Sequence, residues 1–207
     1  MASKNRRNKV KFKLQPELII LIVCLILMIT ATIIMAIPTK AEKTTTNLNN
    51  AIYTYNQENS SNTISYLPTK NVYEETSHSS LIKKIKNEEY VYVIYGQYAS
   101  NSNIVSNLYL MQTICEDEEI KKIYLYDSTW IDEYDDTDSE SFNIVANALE
   151  KDFNEGKSAD VDDFDLLESP ALLVFYNGSM IFNSQSYDYD NWSMYIQKAF
   201  YLSKVNN

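Results

Sequence analysis

Few side chains in this sequence are suited to covalent or metal chemistry. The chain has two cysteines, Cys24 and Cys115, and one histidine, His78. Cys24 lies inside a long apolar run, so the two thiols are not expected to pair within one chain. A single histidine cannot complete a Cys/His metal cluster, and three glycines are too few for a phosphate-binding loop. We therefore expect no disulfide, no metal and no cofactor.

Carboxylates are the most abundant ionisable groups, and they are concentrated in residues 132–140 and 160–168. Closely spaced oxygen donors can bind Ca²⁺, but neither stretch has the Asp-x-Asp-x-Asp-Gly order of an EF-hand loop. From Pro38 onward the chain has 12 lysines, no arginine and 27 acidic residues. This negative charge opposes binding to nucleic acid. The sequence favours a solvated acidic surface and a basic partner.

An uncharged segment, 18–37, follows six basic residues near the N-terminus. At 1.5 Å per residue, a helix of this length crosses the ~30 Å hydrocarbon core of a bilayer. The preceding positive charge predicts that residues 1–17 form a cytoplasmic basic tail and that the remainder is extracytoplasmic. A cleaved signal peptide is the alternative, although its apolar region is usually about 7–15 residues long. We expect a single-pass protein of the cell membrane.

The rest of the chain changes character near residue 71. Residues 38–70 are rich in Thr, Asn and Ser with little periodicity, which predicts a flexible extracytoplasmic linker. Residues 90–95 and 121–127 are typical of buried strands. Two apolar runs around Asn177-Gly178 are typical of a β-hairpin. Residues 71–207 are therefore expected to form one domain.

Helical patterns alternate with these strands. Apolar residues recur on one face of the predicted helix that contains Cys115, so this thiol is expected to be buried. Thr137 and Glu140 form a capping box that predicts another helix, and Asp190 is expected to cap the last one. Strand-helix-strand units need parallel pairing, and the hairpin adds antiparallel strands. We expect an α/β mixed sheet with helices on both faces.

This order of elements, with Pro170 directly before the hairpin, resembles the thioredoxin fold. The closest local match is residues 169–178, Ser-Pro-Ala-Leu-Leu-Val-Phe-Tyr-Asn-Gly. It is similar to the family's cis-proline, strand and Asn-Gly turn. The chain most resembles small exported bacterial thioredoxin-like proteins, including bacteriocin-transport accessory proteins. The resemblance implies a thioredoxin-like domain over 71–207, preceded by one transmembrane helix.

The resemblance places the family's two redox cysteines on Ser100 and Asn103. Thiol-disulfide exchange needs a thiolate that attacks and a second thiol that resolves the mixed disulfide. Serine and asparagine cannot replace them. The positions of the family's buried acid and tryptophan fall on Ile94 and Ala99. The resemblance therefore implies a redox-inactive domain with no catalytic residue.

The resemblance also implies a peptide groove, because the residue before the family's cis-proline offers its backbone N–H and C=O to an extended peptide. The alternative is that Pro170 only shapes an inherited core. The candidate groove residues are Tyr98, Ala99, Ser100, Asn103, Ser169 and Pro170. The acidic stretches are expected at the same end of the domain, as an acidic rim of Asp132, Asp135, Asp136, Asp138, Asp162, Asp163 and Asp165.

These expectations define a binding protein rather than an enzyme. We expect a membrane-tethered accessory to protein or peptide export, or to envelope assembly, with a protein or basic peptide as its partner. One alternative is a thiol-disulfide oxidoreductase or redox chaperone that uses Cys115 or a cysteine-bearing partner. The other is a structural subunit of a membrane complex, held mainly by residues 18–37.

Overall fold

The computed structural model describes residues 16–134, 137, 139–187 and 192–205. The chain divides into two compact units, Met1–Thr39 and Lys40–Asn207. The first unit contains helix α1, Pro16–Ala36. In α1 the hydroxyls of Thr30 and Thr32 donate to backbone carbonyls four residues earlier, at 2.8 Å in both cases. Within the described part of the chain, no helix combines the length and the apolar character that crossing a membrane requires.

The second unit contains five strands that form one sheet. They are β1 (Tyr73–Glu75), β2 (Tyr90–Tyr95), β3 (Ile123–Tyr126), β4 (Ala171–Tyr176) and β5 (Ser179–Asn183). The order across the sheet is β1-β3-β2-β4-β5. β3 pairs in parallel with β1 and β2, whereas β4 pairs antiparallel with β2 and β5. The predicted mixed sheet is confirmed.

The described residues of the second unit include five helices. They are α2 (Lys40–Glu58), α3 (His78–Asn87), α4 (Ser102–Asp117), α5 (Glu140–Asn154) and α6 (Trp192–Val205). Short 3-10 helices lie at Thr129–Glu133 and Ser184–Ser186. The helices divide between two cores on opposite faces of the sheet. One core contains residues of α2, α4 and α6, and the other contains residues of α3 and α5.

The central strand β2 contributes side chains to both cores. Along β2, Ile94 belongs to the core with α2, α4 and α6, whereas Val93 and Tyr95 belong to the core with α3 and α5. All three side chains are 0% exposed. Successive side chains of a strand point to opposite faces, so an unbroken apolar run is buried only when both faces are covered. The predicted helices on both faces are confirmed.

The prediction of a flexible linker over 38–70 is wrong where α2 forms. Leu48 and Ile52, four residues apart on one face of α2, are both 0% exposed. The side chain of Asn49 exchanges two hydrogen bonds with the backbone of Leu67, at 3.1 and 2.8 Å. The polar sequence of α2 does not predict a helix. Burial of these two apolar residues stabilises it, because tertiary packing supplies most helical stability. The domain therefore begins before residue 71.

Local details of the helices also differ from the sequence predictions. α5 is capped by Ser139, whose hydroxyl accepts from the Phe142 N–H at 3.3 Å, rather than by Thr137. The predicted cap Asp190 lies outside the described residues. Cys115 is 0% exposed on α4, as the helical spacing predicted. Apolar periodicity located the helices, but competition between neighbouring polar residues decided the caps.

Candidate functional site

The end of β2 lies against the segment that precedes β4. Gly96 has φ +133°, a backbone conformation that favours glycine. A β-carbon at Gly96 would lie 2.8 Å from the Ser169 Oγ and 2.9 Å from the Pro170 Cβ, which is closer than atoms normally approach. The peptide bond between Ser169 and Pro170 is cis. The missing side chain of Gly96 thus permits the close approach of these two segments.

Residues 97–101 form a hydrogen-bonded turn between Gly96 and α4. The Gln97 carbonyl accepts from the N–H groups of Ser100 and Asn101, at 3.1 and 3.0 Å. The side-chain oxygen of Asn101 accepts from the N–H groups of Asn103 and Ile104, at 3.0 and 3.2 Å. Asn101 therefore caps α4, and the turn is fixed at both ends.

A cavity of about 360 Å³ lies beside this turn and is here called the Pro170 cavity. It brings together three predicted groove residues that are far apart in the sequence, Ser100, Ser169 and Pro170. The described residues that line it are Gln97, Ser100, Asn101, Ser128, Ile131, Asp132, Leu167, Ser169 and Pro170.

Ser169 is an exposed residue whose backbone is not used by the described fold. Neither its N–H nor its C=O makes a hydrogen bond to any residue that the structure describes. The preceding segment is nevertheless held firmly. The Leu167 N–H donates to the Asp165 carboxylate at 2.8 Å, and the Glu168 carbonyl accepts from the Gln185 side chain at 2.5 Å. Backbone groups without partners are normally kept accessible, where water or another chain can bind them.

The predicted acidic rim is not one continuous set. Asp132 lines the Pro170 cavity, and one of its carboxylate oxygens accepts from the Gln97 side-chain N–H at 2.7 Å. Asp162, Asp163 and Asp165 line a separate cavity of about 490 Å³. Asp135, Asp136 and Asp138 lie outside the described residues. The resemblance to the thioredoxin fold implied that the two acidic stretches lie at the same end of the domain, and the described carboxylates line two separate cavities.

Tyr98 and Ala99 do not line the Pro170 cavity. They line a second cavity of about 510 Å³, here called the Tyr98 cavity, together with Lys40, Asn47, Glu75, Thr76, Ser77, Leu125 and Asp127. Tyr98 is 6% exposed, and its hydroxyl donates to the Glu75 carboxylate at 2.9 Å. Burial, and next the hydrogen bond to Glu75, raise the pKa of Tyr98 well above its usual value. Tyr98 therefore leaves the Pro170 cavity open.

The remaining groove candidate, Asn103, lies in the first turn of α4. It lines neither the Pro170 cavity nor the Tyr98 cavity. Its carbonyl accepts from the side chains of Ser106 and Asn107, at 3.1 and 2.7 Å. Asn103 is thus part of the helix start, whereas Ser100 is part of the cavity.

The side chains of Cys115 and His78, which could take part in other chemistry, do not line the Pro170 cavity. Burial, and to a lesser degree the charge of Glu116, raise the pKa of Cys115 to about 12. The Nε2 of His78 lies 2.9 Å from an Asp152 carboxylate oxygen. No three His, Cys, Asp or Glu side chains in the described ranges are arranged to hold a metal ion. These groups do not form a reaction centre with one another.

A larger cavity, of about 630 Å³, lies beside the amino-terminal parts of β2 and β3. It is remote in the fold from the turn after β2. Two of its lining residues already bond to each other, because the Tyr124 hydroxyl donates to the Glu88 carboxylate at 2.9 Å. Burial, followed by the interaction with Glu88, raises the pKa of Tyr124. We assign this cavity no role.

Several residues of the Pro170 cavity were not predicted as site residues. Gln97 and Leu167 line it, and Gly96 determines how closely its walls approach. The sequence carried one signal for Gly96, which is one of only three glycines and directly follows a strand pattern. Gln97 and Leu167 carried none, because no local pattern shows which loop residues meet across a cavity.

The chain matches no protein-family model, and no curated protein matches it significantly. A functional assignment therefore depends on the geometry of the Pro170 cavity and on the sequence. The strongest geometric feature is the combination of the exposed residue Ser169, whose backbone makes no hydrogen bond to described residues, with an adjoining cavity.

Proposed function

We propose that this protein is a membrane-tethered, redox-inactive, thioredoxin-like module that binds an extended protein segment. It would act as an accessory to protein or peptide export, or to envelope assembly. The observation that carries the proposal is the unpaired N–H and C=O of Ser169 beside the Pro170 cavity. An extended peptide can form its first backbone hydrogen bonds to such groups when it binds as an added β-strand. The strand order β1-β3-β2-β4-β5 is compatible with a thioredoxin-like domain.

The tether in this proposal rests on the sequence. Residues 18–37 are uncharged, and the six cations before them favour a cytoplasmic N-terminus. Protease added to intact cells whose wall has been removed should then degrade the unit that begins at Lys40 and leave the basic tail, residues 1–17, undigested. Protection of the whole chain until the cells are lysed would contradict this topology.

The oxidoreductase alternative is weakened by the state of Cys115. This thiol is 0% exposed, and its pKa is raised to about 12 by burial and by Glu116. Exchange requires an accessible thiolate, which the native state does not offer at neutral pH. Catalytic reduction of insulin by the full-length chain, abolished by Cys115→Ala, would restore that alternative.

Site-specific photo-crosslinking in cells tests the proposed binding surface. A benzoylphenylalanine probe at Leu167 lies in the Pro170 cavity, and the same probe at Tyr53 is a matched control on α2, because both side chains are 55% exposed. We expect a discrete protein adduct from Leu167 and none from Tyr53. An adduct from Tyr53, with none from Leu167, would favour a structural subunit instead.

A further inference from the structure

The Pro170 cavity is polar, and the described residues that line it carry one charge. Of its nine lining residues, Asp132 is the only charged one. Amide and hydroxyl groups make up most of the remaining lining, and Ile131 and Leu167 add apolar surface at its edge. A cavity of this composition suits a side chain with an apolar stem and a cationic end, because such side chains bury the stem and keep the charge in a polar setting.

Among the described residues, the Asp132 carboxylate has no cationic partner. None of the ion pairs between described residues includes it. Its Oδ2 accepts the 2.7 Å hydrogen bond from Gln97, which holds the carboxylate at the cavity. No lysine or arginine lines the cavity. A positioned carboxylate without a counter-charge attracts a cation, and the excess of 27 acidic residues over 12 lysines from Pro38 onward adds to the attraction.

We propose that the Pro170 cavity selects a lysine or arginine side chain of the bound segment, with Asp132 as its counter-charge. This inference rests on the proposed binding of an extended peptide at Ser169. Successive side chains of an extended peptide point to opposite sides. Ser169, Leu167 and Asp132 line the same cavity, so a residue next to the one that pairs with Ser169 can place its stem against Leu167 and its cationic group at Asp132.

Fluorescence anisotropy with defined peptides tests this selectivity. The probes are three fluorescein-labelled peptides, Gly-Ser-Thr-Val-X-Val-Thr-Ser-Gly, in which X is lysine, norleucine or glutamate. They are titrated with the full-length chain in detergent and with two variants. Asp132→Asn removes the charge but keeps an oxygen for Gln97. Asp162→Asn makes the same chemical change in the separate acidic cavity and serves as the matched control.

We expect the lysine peptide to bind about fivefold more tightly than the norleucine peptide, and the glutamate peptide to bind most weakly. Asp132→Asn should remove the lysine advantage, and Asp162→Asn should keep it. The advantage should shrink at about 0.5 M salt, because exposed charges are screened.

Two results would overturn the selectivity, and they are distinguishable. If all three peptides bind the wild-type chain equally, or if the lysine advantage survives Asp132→Asn, basic selectivity fails while peptide binding stands. If none of the peptides binds, both the selectivity and the proposed function of the cavity fail.

Discussion

Two cavities flank the same turn, but they differ in how their polar groups are used. In the Tyr98 cavity, the Glu75 carboxylate already accepts from the Tyr98 hydroxyl at 2.9 Å, and the Thr76 N–H donates to the Leu125 carbonyl at 3.0 Å. In the Pro170 cavity, the Ser169 backbone makes no hydrogen bond to the described residues. The Asp132 carboxylate, like that of Glu75, accepts one hydrogen bond and belongs to no ion pair between described residues, so the contrast lies in the Ser169 backbone.

This contrast predicts that substitutions in one cavity change the stability of the fold and that substitutions in the other change ligand binding. A polar group that is paired within the fold contributes to the free energy of unfolding, and its removal leaves its partner unsatisfied. A polar group that remains exposed and unpaired contributes little to stability and is available to a ligand. Substitutions around Tyr98 are therefore expected to change stability, and substitutions of Asp132 to change binding.

The largest expected effect concerns α2, which contributes Lys40 and Asn47 to the Tyr98 cavity. Leu48→Ala should lower the free energy of unfolding by about 3 kcal/mol, because it leaves a hole in a fully buried site. Urea denaturation of the full-length chain measures this. Tyr53→Ala, on the exposed face of α2, should change it by less than about 0.5 kcal/mol. Equal effects of the two substitutions would mean that α2 does not pack as described.

Gly96 lies at the turn between the two cavities, and its substitution should change both stability and binding. Gly96→Ala should cost about 2 kcal/mol, because the backbone is at φ +133° and the new methyl group meets Ser169 and Pro170. Peptide affinity should fall as well, since those two residues must move. Gly156→Ala is the control, with φ +74° and its nearest neighbour at 3.7 Å. It should cost about 1 kcal/mol and leave affinity unchanged.

The pH dependence of the unfolding free energy tests the burial of Cys115, which belongs to the same core as Tyr98. Its pKa is raised to about 12, so between about pH 9 and 12 the native state keeps a proton that the unfolded state loses. Its contribution to stability is complete below about pH 9 and is lost as the pH rises. The unfolding free energy of the wild type should fall relative to that of Cys115→Ala by up to about 1.4 kcal/mol per pH unit. Parallel pH profiles from pH 8 to 11 would contradict the burial of this thiol.

A smaller stability effect is expected for Tyr98→Phe. The substitution removes the hydroxyl that donates to Glu75 and should cost about 1 kcal/mol. It should not alter peptide affinity, because Tyr98 faces the other cavity. Tyr109→Phe, at a side chain that is 42% exposed, controls for the loss of a hydroxyl. A drop in affinity with Tyr98→Phe would show that the two cavities are not separate in function.

The sheet and most helices were predictable because their apolar residues repeat with a clear period. α2 was not, because its large aliphatic residues are only Leu48 and Ile52, in a sequence rich in Thr and Asn. Two of its asparagines, Asn49 and Asn56, bond to the backbone of Leu67 and Ile64 in the following loop, and such pairings have no local signature. Tertiary contacts therefore supplied the information that the local sequence lacked.

The candidate site divides in the same way. The motif around Pro170 located Ser169, and the turn after β2 located Ser100, because both depend on local sequence. The direction of Tyr98 could not be predicted, since it depends on Glu75, which is 23 residues away. The separation of Asp132 from Asp162 likewise depends on how distant loops fold against different neighbours.

The most direct test of the central claim is an NMR titration of the ¹⁵N-labelled full-length chain with the lysine peptide. The account predicts that amide shifts will concentrate at Ser100, Leu167 and Ser169 around the Pro170 cavity. The amides of Asn47 and Thr76, in the Tyr98 cavity, should not move. Shifts at Asn47 and Thr76 with none at Ser169 would contradict the account, because the ligand would then bind where the polar groups are already paired.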